Sequence, residues 1–321
     1  MSRFLASLRA HVATLWRASA PLTALGLLML AVLAASLIGL WLNPRTILGA
    51  PAWLKPAKFA ASIAVFALTL AWALRYLPDY PRFRRNIGRA TAVLLSIEIL
   101  IIAVQAARGT TSHFNVSTPL NGILFSIMGI AIAAQTLASV AVAVALWRQK
   151  LADRALGWAL RLGLSISILG ASIGGLMVEP NAEQLEALKA GRGTVAGAHT
   201  VGAPDGGPGL AGTGWSLEHG DLRVPHFLGL HAFQALPLLA LGVRRRRGSE
   251  EQRVRLIQTA GASYVGLVAI LLWQALRGQP LLAPDAVTVG ALLAWSALSL
   301  AFAGATLRRR ASTRDAALLV S

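Results

Sequence analysis

The chain has 321 residues, 55% of them hydrophobic and 13% charged, with a mean hydropathy of +0.61. That is more apolar surface than one soluble core can hide, and it indicates an all-α polytopic membrane protein. Cysteine is absent, which excludes disulfides, thiolate metal sites and a cysteine nucleophile; the net charge of +17 raises the question of nucleic acid, which the placement of the charges answers below.

Residues 1–20 set Phe4, Leu5, Leu8, Val12, Leu15 and Trp16 at helical spacing against Arg3, Arg9 and Arg17, the pattern of an interfacial amphipathic helix. A cleaved leader is the competing reading; the long charged lead and a full-length first crossing without a small-residue cleavage site disfavour it. Runs long enough to cross ~30 Å of hydrocarbon as helix are predicted at 21–43, 57–77, 89–107, 119–146, 158–177, 225–243, 255–276 and 285–306. Backbone amides cannot go unpaired in lipid, and no barrel-like alternation is present, so all eight are read as helices. Residues 21–307 form one eight-span domain with a long outward loop at 178–223, and 308–321 form a basic tail.

Ionisable groups inside a span cost about 2.5–3.5 kcal/mol each on insertion scales, so each is a default functional candidate. On span two, Lys58 shares a helical face with Lys55, Ser62 and Thr69. Span three carries Glu98 near its middle, in line with Thr91 and Gln105 at seven-residue offsets, with Arg108 one turn beyond Gln105. The stretch RGTTSHFN, containing His113 and Asn115, leads into span four, where Asn121, Gln135 and Ser139 fall on one face. Gly170 and Gly174 of span five have the GxxxG spacing that admits a neighbouring helix; internal packing is the favoured use, with homo-oligomerisation the alternative. In the loop, Asn181 and Gln184 form a capping pair ahead of Leu185 and Leu188, and Gly191 ends the short helix they predict. A Gly- and Pro-rich tether follows, with Trp215 placed to anchor at headgroup level. Glu218, His219, Asp221 and Arg223 stand just ahead of span six, which is expected to begin near Pro225. Along it His226, Gln234 and His231 occupy an arc of about 140°. His11 and His199 look incidental.

Sorting Lys and Arg by loop places 22 of the 30 on one side: Arg3 to Arg17, Arg75 to Arg89, Arg148 to Arg161, Arg244 to Arg255, and Arg308 to Arg314. This is the positive-inside pattern with both termini cytoplasmic, and it accounts for the charge without nucleic acid. The expected partners are the lipid bilayer and a small-molecule or lipid ligand. A bacterial inner membrane is the expected location.

The polar groups other than Glu98 map to the outer half or the outward loops, which suggests one outward pocket walled by spans two, three, four and six. Four functions fit such a pocket. The first is a membrane-embedded enzyme with Glu98, His226 and His231 as catalytic groups, around a divalent metal, zinc or iron, held by His113, His226, His231 and Glu98. His226 and His231 stand at i and i+5 rather than i and i+4, which is a weak metal spacing. The second is a binder or transporter of a small anionic or lipophilic molecule, held by Lys58, Gln105, Arg108, Asn115, Asp221, Arg223 and Gln234. A b-type haem protein and a non-catalytic subunit of a membrane assembly complete the set.

Overall fold

A computed structural model of the protein describes residues 2–245 and 248–318. Arg246 and Arg247 lie outside the described residues, as do the side chains of Arg3, Phe4, Arg309, Arg310 and Arg314. Among the described residues, eight helices are long and apolar enough to cross a membrane, and the protein is an all-α polytopic membrane bundle. The spans are α2 (Ala20–Leu42), α3 with its short tight continuation (Leu54–Tyr76), α4 (Pro81–Ala107), α5 (Pro119–Arg148), α6 (Arg154–Met177), α8 (Arg223–Val243), α9 (Glu250–Leu276) and the membrane part of α10 (Ala286–Arg308). All eight predicted crossings are present. Helix α1 (Ser2–Ala18) precedes them, with Leu5, Leu8 and Trp16 uncovered.

Large apolar residues face outward from the spans, as with Trp41 at 85% exposure, Ile130 at 71% and Leu300 at 74%. In water such patches would be a liability; against lipid they are the solvated surface. Span three begins eight residues earlier than the hydropathy suggests, because Pro81 opens the helix and the basic turns from Arg82 to Arg89 remain helical beyond the apolar stretch. Helix geometry needs only backbone hydrogen bonds, so it does not stop where the hydrocarbon does.

The chain forms two compact units: Met1–Ala145 with Met177–His199 and Pro204–Trp215, and Leu146–Leu176 with Thr200–Ala203 and Ser216–Ser321. In the first, α2 packs along α3 and against α4. Gly26 makes that approach close: a Cβ there would lie 2.6 Å from the Leu68 side chain. Leu22, Met29, Leu70 and Ile102 are fully buried in this unit. In the second, α8 packs on α9 and α9 on α10. Gly170 of α6 faces Gly229 of α8 so tightly that a Cβ on Gly170 would lie 2.5 Å from the Gly229 carbonyl carbon. The GxxxG spacing thus serves packing within the unit.

Helix α7 (Ala182–Lys189) carries the predicted reciprocal cap: the Asn181 side chain accepts from Gln184 N, the Gln184 side chain accepts from Asn181 N, and Gly191 takes a φ of 69° just past the end.

Candidate functional site

The seven-residue offset seen in the sequence becomes the buried face of α4. Thr91, Glu98 and Gln105 are 0%, 1% and 0% exposed. Seven residues turn a helix to within about 20° of the same direction, so the three side chains form one stripe on the helix face turned into the unit. Two ends of this stripe differ. Gln105 is saturated: its Nε2 donates to Asn121 Oδ1 (3.0 Å) and to the Thr111 carbonyl, and its Oε1 accepts from Arg108 Nη1 (2.5 Å). Glu98 is not. Its Oε1 faces His113 Nε2 at 3.5 Å, while its Oε2 is buried without a hydrogen-bond partner among the described residues. The Lys55 ammonium at the start of α3 is the charged neighbour whose field reaches Glu98.

His113 is delivered by the α4–α5 loop. Its side chain is 22% exposed, against 2% for Glu98, so it stands between the buried acid and the outside. Its Nδ1 lies 3.1 Å from Ser112 Oγ, and its ring packs against Phe59 and Phe114. Phe114 has a φ of 61°, a left-handed conformation that a bulky residue adopts only when its surroundings enforce it. Here the enforcement is visible: the ring is held by Phe125 and His199, and the carbonyl accepts from Ala196 N. Asn115 tightens the same loop, donating to Thr110 Oγ1 and the Thr111 carbonyl and accepting from Ser117 N and Oγ. His199, read as incidental, pairs through Nδ1 with Asp205 at 2.5 Å, and Asp205 also accepts from the His199 backbone N–H. Lys58 reaches across to the loop and donates to the Thr213 carbonyl at 2.6 Å. Of the expected ligand-binding groups of this unit, Lys58 and Asn115 hold loop residues, and Gln105 and Arg108 bond to each other and to Asn121.

In the second unit, Asp221, 2% exposed, receives the Ser216 and Arg223 backbone N–H groups and a two-pronged contact from the Arg223 guanidinium, Nη2 to Oδ2 at 2.6 Å and Nε to Oδ1 at 2.9 Å. This pair fastens the first turn of α8, which begins at Arg223 rather than at Pro225. Proline is tolerated there, since the first N–H groups of a helix have no intrahelical acceptor. His226 Nδ1 contacts the Gly170 carbonyl at 2.8 Å, fixing α8 against α6. His231 Nδ1 contacts Gln234 Oε1 at 3.2 Å, and its ring lies 4.3 Å from that of Phe227, one helical turn back.

The residues expected to line one pocket thus divide between the units: Lys58, Glu98, Gln105, Arg108, His113 and Asn115 in one; Asp221, Arg223, His226, His231 and Gln234 in the other. Among the described residues, no group of three or more His, Asp or Glu side chains could hold a metal ion, so the expectation of a zinc or iron site finds no support. Ser112 and the strained Phe114 were not legible as site residues, since nothing in the sequence marks a serine beside a histidine or a positive φ at phenylalanine. No protein family, curated protein or solved structure matches this chain.

Proposed function

We propose that this integral membrane protein works by proton exchange at Glu98 and His113, and that the pair couples its protonation to the binding of a small lipophilic molecule presenting a hydrogen-bond donor. The observation that carries this reading is the open Oε2 of Glu98, an acceptor enclosed in the bundle with no partner among the described residues. A buried carboxyl oxygen left unpaired lowers stability, so a protein that keeps one gains something other than stability from it. An acid inside a span beside an imidazole is suited to passing a proton. The separation of 3.5 Å is longer than a made hydrogen bond of about 2.7–3.2 Å, as for acid–base pairs that tighten when a ligand arrives. An anionic ligand fits less well, because Lys58, Arg108 and Arg223 already have internal acceptors. The asymmetry of basic residues supports a cytoplasmic membrane, bacterial in our reading, with the basic loops inside.

Dicyclohexylcarbodiimide, which adds to protonated carboxyls in apolar surroundings, tests the proposal. Glu98 is labelled, labelling falls as pH rises and the carboxyl ionises, and Glu98→Gln abolishes it. Absence of label at Glu98 at every pH at which the protein stays folded would contradict the proposal.

One observation favours a second reading, that of an acyl-transferring enzyme: Ser112 Oγ, His113 and Glu98 are in contact in series. In such a step the Ser112 Oγ–C bond forms, the hydroxyl proton passes to His113 Nδ1, and the leaving group departs with that proton while carboxylate Glu98 steadies the imidazolium. A fluorophosphonate probe that labels Ser112, and fails to label Ser112→Ala or His113→Ala, supports it; an unlabelled Ser112 excludes it.

A further inference from the structure

The open oxygen of Glu98 is one of a series. Among the described residues, five buried side-chain polar atoms lack a hydrogen-bond partner: Ser19 Oγ, Arg84 Nε, Thr91 Oγ1, Glu98 Oε2 and Gln135 Oε1. Four of them lie along one line. Arg84, Thr91 and Glu98 are seven residues apart on the buried face of α4. Ser19, at the head of α2, projects its hydroxyl onto that face at Gly88, where a Cβ would lie 2.4 Å from Oγ. Gly88 is one turn from both Arg84 and Thr91, so the order along α4 is Arg84, Ser19, Thr91, Glu98. It runs about 21 Å from the basic end of the helix to the acid.

The Thr91 hydroxyl is the informative one. Ser96 on the same helix, and Thr23, Ser36, Thr69 and Thr136 on others, return their hydroxyls to the carbonyl four residues back, the usual satisfaction of such groups in a span. Thr91 is fully buried and makes no such bond. Buried polar atoms that lack protein partners in a row are where internal water is held.

Resting on the proton-exchange reading of Glu98, we infer that the Arg84–Ser19–Thr91 stripe is a water-bridged proton path joining the basic side of the membrane to Glu98. A proton moving along it converts the Glu98 carboxylate to the acid; when the acid gives that proton to His113 Nε2, carboxylate and imidazolium result, and the imidazolium releases it on the opposite side. The charged groups facing Glu98 are His113 from the loop and Lys55 from α3. Arg84 stands at the entrance, with Nη2 donating to the Ala18 carbonyl.

Full-length protein in right-side-out and inverted vesicles, with the pH of each side clamped independently, gives the test, with carbodiimide labelling of Glu98 as the readout. A step of one pH unit changes the acid-to-base ratio of a carboxyl in contact with that side about tenfold. In the unaltered protein, labelling follows the pH of both sides. Thr91→Val loses the response to the basic side, keeps the response to the opposite side, and Thr91→Ser behaves as the unaltered protein; Ser19→Ala, a change outside α4, reproduces the loss. A basic-side response undiminished in both Thr91→Val and Ser19→Ala overturns the path, as does labelling of the unaltered protein that follows the opposite side alone. Labelling that ignores the pH of both sides overturns the proton-exchange reading itself.

Discussion

Two buried carboxylates, one in each unit, are treated in opposite ways. Asp221 accepts from two backbone N–H groups and two guanidinium nitrogens, leaving its oxygens matched. Glu98, equally buried, has one oxygen near an imidazole and the other without a partner among the described residues. Burial alone therefore does not distinguish a structural acid from a working one; the accounting of donors does. Asp221 is a fastener for the start of α8, and Glu98 is an acid held ready for an exchangeable partner.

The two acids differ most in what their removal does to stability. Asp221→Leu removes the acceptor of the Ser216 and Arg223 N–H groups and of the Arg223 Nε and Nη2 donors, and the expected loss is about 3–5 kcal/mol. Glu98→Leu removes an orphaned oxygen, and the protein is expected to be as stable as before or more so. Thermal and denaturant unfolding in detergent measures both; an equal loss in the two variants would erase the distinction. A smaller effect, about 1–3 kcal/mol, is expected for Gly170→Ala, whose added carbon would meet the Gly229 backbone. Unchanged oligomeric size in that variant, measured by light scattering, confirms that the glycine serves packing within the chain. Arg108→Ala is expected to cost about 1 kcal/mol through the freed Gln105 and Asn121 acceptors, and to raise amide hydrogen exchange across 108–117 while leaving α8 unaffected.

The smallest effect belongs to an exposed acid. Asp285 caps α10, and its carboxyl is held well below the usual range, chiefly by the Arg277 guanidinium and then by the Thr288 N–H. Because the folded value is depressed, its contribution is present above the ordinary carboxylate range and disappears as the pH falls through that range and below it. The difference in thermal midpoint between the unaltered protein and Asp285→Asn should narrow on acidification, by a small amount because the pair is solvated.

The spans were legible because a run of about 20 apolar residues needs no tertiary information to be recognised, and the α7 cap because Asn181 and Gln184 satisfy each other locally. The stripe on α4 was legible for the same reason, since its period is a property of one helix. Partners were not. Lys58 finds the Thr213 carbonyl 155 positions away, and His226 the Gly170 carbonyl 56 positions away. A backbone acceptor carries no side-chain signature, so residues that look like a ligand's clamp and residues that tie down a loop read alike until the fold is known. His113 beside Glu98 required the turn at Phe114, which no local rule assigns to phenylalanine.

Infrared difference spectroscopy between acidic and alkaline samples of the purified protein reads the Glu98 proton itself. A carboxylic C=O band that gives way to carboxylate absorption as pH rises, disappears in Glu98→Gln and changes its titration in His113→Ala is the predicted result. A Glu98 signal that stays fixed in one form across every pH at which the protein remains folded would contradict it.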